Sequence, residues 1–501
     1  MARKNRRSAV AGGTVIALVV GTVVALSLSY EGVATADVQL NDGGVWVTGT
    51  GDSRVGRLNY PIHEVDGQLS AASVDFDVLQ DGSDVFLVDE ALDRVDRIDP
   101  TTVLVNAGAN LPANHQVVLG GGQLAVLDRG TGQVQMTPAS NVAALEEEGR
   151  EPLLTLGAGG VIAVDEAGTL WGFAPESRTL SSLTAEDAAV LIAETTPTEG
   201  GREPSEAGDD GADPDSEASE GSETAEPVEL PEPTLHDLTD SIIGGADADL
   251  SDARIEFSTV GEKPVLLIER EVRAEGSTSS TAQVEVIPAQ GEPIVLEQAI
   301  AEQDEELDVE GARLQASGAD ARTVSVATTG ALVRLPLDGG DPVIVRPEVS
   351  GTPSQPVVVA GCSHSAWTSG TGTAAYLRLC QDEPVSLPVP VAGVGADLAF
   401  RVNRDVVVLN DMTSGDVWLI QNQLVLVKDW IDTTPPPNAS QEEQDSQDEV
   451  QEQVPLERDE ANRPPSANDD SLGVRPGTTT LLQVLANDSD PDGTRDALVV
   501  S

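Results

Sequence analysis

The chain has 501 residues; 39% are apolar, enough for a sizeable core, but only 3% are aromatic, so Val, Leu, Ile and Ala must fill it. Acidic residues outnumber basic ones 85 to 28, and the resulting net charge of −57 would repel phosphate backbones and an anionic membrane surface, which excludes nucleic acid as a partner. With 48 Gly and 31 Pro and no sustained helical period, the composition predicts an all-β protein of short strands and many turns.

The amino terminus is the exception in charge. Arg3, Lys4, Arg6 and Arg7 precede an uncharged run from Ser8 to Tyr30, long enough to span a bilayer as one helix. The basic flank keeps the tip cytoplasmic and sends the rest outside. Residues 1–36 are therefore expected to be a basic tip and a single-pass signal anchor in the cell membrane. The small residues Ala34 to Ala36 resemble a signal-peptidase site, so secretion after cleavage at Ala36 is the competing reading.

Residues 37–431 carry a repeat. "VFLVDEALD" at Val85, "LAVLDRGTG" at Leu124 and "VIAVDEAGT" at Val161 place Asp89, Asp128 and Asp165 at matching positions. Weaker copies, read as lacking the Asp, start at Val45, Val324, Ala366 and Val406, and a stretched one at Val265. Starts at 45, 85, 124 and 161 lie 40, 39 and 37 residues apart, and those at 324, 366 and 406 lie 42 and 40 apart. A period near 40 with strand–turn–strand content predicts a seven- or eight-bladed β-propeller. The three Asp could gather as carboxylates around a central channel. A residue repeated once per blade fits better as a structural turn anchor, its carboxylate accepting from the N–H groups of a hairpin. Trp46, Trp171, Trp367, Trp418 and Trp430 fall at strand-like positions and are expected in the core rather than stacked on sugars.

Within the repeat, residues 196–234 hold 13 acidic residues and no aromatic, and are expected to be a disordered insert. Cys362 and Cys380 are the only cysteines, and in an exported chain an even pair reads as a disulfide. The histidines, His63, His115, His236 and His364, are isolated from one another, with His364 assigned to a loop between the cysteines. No zinc spacing, G-x-S-x-G, H-E-x-x-H or P-loop sequence is present, and no pair of carboxylates stands out for glycoside chemistry.

Residues 432–467, rich in Pro, Gln and Glu, read as a linker. Residues 468–501 read as the start of an immunoglobulin-like or cadherin-like β-sandwich. There, "NDSDPDG" places Asp488, Asp490 and Asp492 before Gly493, the first half of a calcium loop, with Asn468, Asp469 and Asp470 as further oxygen donors. An EF-hand would need Glu where Val499 stands. Calcium at this site and an acidic turn without metal both remain open; no other cofactor is expected.

"VQLNDGGVWVTG", "GCSHSAWTSG…YLRLC" and "ANDDS…LLQVLANDSDPDG" together resemble actinobacterial surface proteins that carry a membrane segment, a propeller-like region and tandem immunoglobulin-like and fibronectin type III domains. The export signal, the period near 40 and the missing catalytic constellation together lead to the expectation of a non-catalytic, membrane-anchored scaffold that recognises an extracellular protein, a peptide or a cell-wall polymer. Two alternatives are an extracellular polysaccharide hydrolase or lyase and a calcium-stiffened adhesin.

Overall fold

A computed structural model describes residues 44–147, 150–195, 231–273, 280–289, 291–303, 307–319, 321–390, 393–427 and 430. These belong to the compact unit that runs to Asp432. The apolar segment 8–30, residues 196–230 of the acidic insert, the linker and the candidate calcium loop lie outside the described residues. Among the described residues no helix is long and apolar enough to cross a membrane.

The described strands form eight antiparallel sheets in chain order, so the protein is an eight-bladed β-propeller. Blades 1 to 8 span 44–70, 76–110, 115–155, 161–183 with 234–237, 254–295, 313–345, 352–388 and 398–427. Strands follow one another outward from the channel, joined mostly by tight turns. The acidic insert interrupts blade 4 between its third strand, Thr179–Leu183, and its fourth, Thr234–Asp237, so that the insert's last residue opens a strand.

The core is divided into wedges, because each blade is apolar on both faces. In Asp84–Asp89, Val85 and Leu87 pack with Trp46 and Val55 of blade 1, whereas Phe86 and Val88 pack with Leu124 and Val126 of blade 3. Alternate side chains of a strand point to opposite faces, so a strand buried on both sides reads as a continuous apolar run. Comparable clusters fill the other blade interfaces. The ring closes through one of them, in which Val45, Val47, Leu58 and Val65 of blade 1 meet Val408, Val417 and Leu419 of blade 8.

The period breaks in the middle of the chain at the blade 4 insert and at an enlarged blade 5. Blade 5 has a long hairpin, Lys263–Arg273 paired with Ser280–Pro288, followed by the helix Leu296–Ala301. The stretched repeat at Val265 is this hairpin. Blade 1 has three described strands, and the inner edge of its first, Gly44–Gly49, is met by side chains of its neighbours. Gln80 of blade 2 accepts from the N–H of Trp46 (3.0 Å) and donates to the carbonyl of Gly44 (3.1 Å). Asn410 of blade 8 accepts from the N–H of Thr48 (2.9 Å) and donates to its carbonyl (3.0 Å). Backbone groups left at a strand edge are thus paired without another strand.

The carboxy-terminal seam uses Trp430. Its backbone bridges Val65 on the outer strand of blade 1, and its indole N–H donates to the carbonyl of Gly415 in blade 8 (2.9 Å). Its ring lies over Gly56, where a Cβ would sit 2.8 Å from the indole, and beneath the Arg54 guanidinium at 4.9 Å.

Candidate functional site: the central channel

The inner strands surround a channel of about 1110 Å³. Its wall is mixed, with Val78, Val164, Val358, Phe400 and Val402 beside Gln80, Asp165, Arg401 and Asn403 among the lining residues. Turns from each inner strand to its neighbour form the mouth, and Asp81 of blade 2, Glu166 of blade 4 and Arg404 and Asp405 of blade 8 stand there. Asp81, Glu166 and Asp405 are exposed.

The three repeated aspartates do not converge. Asp89 and Asp128 end second strands, Asp84–Asp89 and Gln123–Asp128, and sit in the turns to the third. Asp165 follows Val161–Val164, the inner strand of blade 4, and lies at the channel mouth beside the Gly121 turn of blade 3. The sequence match of "VIAVD" to "VFLVD" therefore crosses from one strand of the blade to another. The member equivalent to Asp89 and Asp128 is Asp411, which ends the second strand Val406–Asp411. Counting that copy from Val406 instead of Val407 hid it.

Each of these carboxylates holds a turn. Asp128 Oδ1 accepts from the N–H of Gly130 (2.8 Å) and Thr131 (3.3 Å), and Oδ2 from the Thr131 hydroxyl (2.8 Å). Burial opposes the charge of Asp128, but these donors outweigh it and hold its pKa below the usual carboxylate range. Asp89 Oδ1 accepts from the Ser73 hydroxyl (2.8 Å) and the N–H of Leu92 (3.1 Å). Asp165 takes the N–H groups of Ala167 (3.0 Å) and Thr169 (2.9 Å) and the indole N–H of Trp171 (2.9 Å). Asp411 takes the N–H groups of Thr413 and Asp397, both at 3.1 Å, and the Ser414 hydroxyl at 2.8 Å. In the weaker copies, Thr328 and Ser369 use hydroxyls at the same turn.

Arg401, on the inner strand Leu398–Asn403, is a residue that the repeat does not reveal. It is buried, pairs with Asp77 of blade 2, and donates to the Thr48 hydroxyl of blade 1 (2.9 Å) and the Val78 carbonyl (3.3 Å). One guanidinium thus ties three blades beside the channel. Near it, burial pushes the Asp397 carboxyl pKa up, with Asp411 and Asp77 adding to the effect and Arg313 and Arg401 opposing it.

Cys362 and Cys380 form a disulfide between directly opposed residues of Cys362–Thr368 and Ala374–Cys380 in blade 7. His364 is not in a loop; it is 4% exposed within the first of these strands, with Nδ1 2.8 Å from the Tyr376 hydroxyl. An alternating strand spanning two apolar wedges leaves no room for the expected loop. Burial, helped by Arg378, lowers its pKa to about 4, so the ring is neutral at ordinary pH and shares a hydrogen bond with the Tyr376 hydroxyl. Trp46, Trp367 and Trp418 are buried, whereas Trp171 and Trp430 are half-buried and spend their N–H groups within the fold. Among the described residues no group of three or more His, Cys, Asp or Glu side chains is arranged to hold a metal ion.

No protein-family model and no curated protein matches the chain. Solved structures do. The chain is similar to apo AztD from Citrobacter koseri, at 9% identity over 76% of this chain and 91% of that one, with a TM-score of 0.39. It is also similar to BamB from Moraxella catarrhalis, at 12% identity over 76% and 95% of the two chains, with a TM-score of 0.39. A third is the β-propeller domain of the Trilobed protease from Pyrococcus furiosus, at 9% identity over 71% and 95%, with a TM-score of 0.37. The blade count rests on the strand pairing in this chain.

Proposed function

We propose that this protein is a non-catalytic binding scaffold of the cell surface, anchored by its amino-terminal apolar segment and presenting the propeller to an extracellular protein, peptide or cell-wall polymer. The observation that carries the reading is the channel, a large recess lined by polar and apolar groups in about equal measure, whose exposed carboxylates Asp81, Glu166 and Asp405 stand on three different turns. Such a surface offers shape, apolar contact and charge for recognition. The export signal and the disulfide agree with an oxidising, extracytoplasmic setting. In the same reading the linker leads to immunoglobulin-like modules, and calcium at Asp488, Asp490 and Asp492 would stiffen the first of them.

The test is a thermal-shift screen of the full chain against peptides and wall fragments. A ligand at 100 times its Kd should stabilise the fold by about 2.7 kcal/mol. Val358→Trp, which places bulk on the channel wall, should abolish the shift. A ligand that stabilises both proteins equally binds elsewhere and would overturn the assignment.

A second reading, a polysaccharide hydrolase or lyase, draws support from Asp397, whose carboxyl pKa is raised by burial, with Asp411 and Asp77 adding to the effect. A general acid needs such a shift. Activity on a polysaccharide that Asp397→Asn removes without unfolding the protein would favour this reading over the scaffold.

A further inference from the structure

We propose that residues 36–41, which lie outside the described residues, dock along Gly44–Gly49 as the inner strand of blade 1, and that this docking turns the channel mouth away from the membrane. The strand stands on the fold alone. The orientation rests on the reading in which the amino-terminal apolar segment anchors the scaffold.

Blade 1 is blade 2 shifted by 40 residues with no insertion or deletion. Gly44–Gly49, Arg54–Asn59 and Glu64–Ser70 fall on Asp84–Asp89, Arg94–Asp99 and Leu104–Asn110. Val45, Arg54, Val55, Arg57 and Val65 return as Val85, Arg94, Val95, Arg97 and Val105. The described strands of blade 1 therefore correspond to the second, third and fourth strands of blade 2. The first strand of blade 2 is Phe76–Asp81, and the same shift places "ADVQLN" of residues 36–41 on its "FDVLQD", with Asp37 and Val38 on Asp77 and Val78. Asp42 and Gly43 then form the two-residue turn into Gly44–Gly49, and Asp-Gly between alternating strands is a strong hairpin signal.

The edge that receives this strand is held by side chains that imitate one. The channel-side backbone groups of Gly44, Trp46 and Thr48 are met by the amides of Gln80, Asn403 and Asn410. In blade 2 the corresponding residues Phe86 and Val88 stand opposite Leu79 and Asp77 of their own inner strand. Trp46 therefore borders the channel, one strand further out than the residues that line it from blade 2. Arg401 of blade 8 reaches across to Asp77 and the Val78 carbonyl of blade 2. A docked strand offers that guanidinium the same pair, Asp37 and the Val38 carbonyl, at the matching places of a nearer strand. Docking thus exchanges like for like at Arg401 and replaces amide caps by a backbone ladder, and a two-residue turn keeps the entropic cost of closure small.

The direction of the strand sets the orientation. Phe76 lies opposite Asp89 at the far end of blade 2, and Asp81 lies opposite Asp84 at the mouth. A docked strand accordingly has Ala36 at the far end and Asn41 at the mouth. Residues 31–35 alone separate it from the apolar run Ser8 to Tyr30, a reach of about 17 Å. The face opposite the mouth is then held at the membrane, and the mouth opens toward the extracellular partner.

The experiment uses the full chain in lipid vesicles. Val38 and Val47 oppose each other in this register as Val78 and Leu87 do, between the hydrogen-bonding positions, where side chains come closest. Val38→Cys with Val47→Cys should form a second disulfide on mild oxidation, read by mass after alkylation and proteolysis. Leu40→Cys with Val45→Cys is a second in-register pair that guards against a packing defect at Val47. Gln39→Cys with Val47→Cys, one residue out of register, should not cross-link. Cross-linking of all three pairs alike, or of none, overturns the docked strand. For the orientation, a fluorophore on Leu92→Cys, in an exposed turn on the face opposite the mouth, should be quenched by a headgroup-labelled lipid several-fold more than one on Ser83→Cys at the mouth. The reverse order overturns the orientation. Quenching at neither position, with the in-register disulfides formed, overturns the anchor reading and leaves the docked strand standing.

Discussion

Trp430→Ala should open the seam between the last blade and the first. The indole is half-buried over Gly56 and Gly415, gives a hydrogen bond to the Gly415 carbonyl at 2.9 Å, and lies under Arg54 at 4.9 Å. Truncating a fully buried Trp costs about 3–5 kcal/mol, so half-burial leaves roughly 2. The hydrogen bond adds about 0.5–1 kcal/mol and the cation–π contact a similar amount at an exposed site. A total of about 3 kcal/mol corresponds to a fall in Tm of about 4 °C for a propeller of this size, where the unfolding entropy is large. Melting of the full chain followed by circular dichroism would measure it. Trp430→Phe should fall between, keeping most of the packing and losing the N–H donor. Blades 1 and 8 also share backbone hydrogen bonds, Thr50 to Met412 at 2.7 Å and Gly51 to Thr413 at 3.0 Å, together with the Asn410 amide and a buried aliphatic cluster. If Trp430→Ala melts within 1 °C of the parent, those contacts carry the closure and the reasoning about Trp430 is refuted.

Four further outcomes follow from particular groups. Cys362 and Cys380 should take an alkylating label only after reduction, and Cys362→Ser with Cys380→Ser should cost about 3 kcal/mol for a closed loop of 18 residues; labelling without reductant would contradict the bond. His364 has a folded pKa of about 4 against 6.5 unfolded, so the unfolded chain binds the extra proton and stability falls as pH drops from about 6.5 to 4, by an amount on the order of 3 kcal/mol. His364→Gln should flatten urea stability across that window, and an unchanged pH slope would count against the neutral ring. Asp397 is shifted the other way: its charge is disfavoured in the fold, so stability is lost as pH rises from 3.8 through its raised folded pKa, and Asp397→Asn should raise Tm at pH 7. A fall in Tm instead would show that the charge is needed for structure. Asp411→Ala should destabilise the protein by about 1–3 kcal/mol through three lost acceptor contacts, and by more than Asp128→Ala, whose turn is exposed; the reverse order in denaturation would refute the burial argument.

The propeller was legible because its signal is backbone chemistry repeated along the chain. A second strand buried on both faces reads as four or five apolar residues, and the tight turn after it demands an acceptor, so "VFLVD" and "LAVLD" recur about one blade apart. The same chemistry is also why the register failed at Asp165. Any tight hairpin rewards a carboxylate after an apolar strand, whether the strand is the first or the second of its blade, and only the pairing of Val161–Val164 with Leu170–Ala174 as the innermost strands separates the cases. Asp411 escaped for the converse reason: the extra Val406 moved the apparent start by one residue while the strand kept its six-residue length and its terminal Asp.

The other residues that sequence reading missed have partners far away in the chain. Arg401 meets Thr48 and Asp77, Gln80 meets Gly44 and Trp46, and Asn410 meets Thr48, all across blade boundaries. A polar residue inside an apolar strand is a visible anomaly, and "FRVN" and "VVLND" both contain one, but the anomaly says only that a partner exists. The channel is similarly hidden, because it belongs to no blade; its mouth is assembled from Asp81, Glu166 and Asp405, which in sequence are ordinary turn residues of three separate hairpins. Ring closure brings them together, and their grouping follows from the ring rather than from any motif. A propeller can therefore keep its repeat intact while the charge of its channel mouth changes at a few turn positions, and in this chain Asp81, Glu166 and Asp405 make those positions acidic.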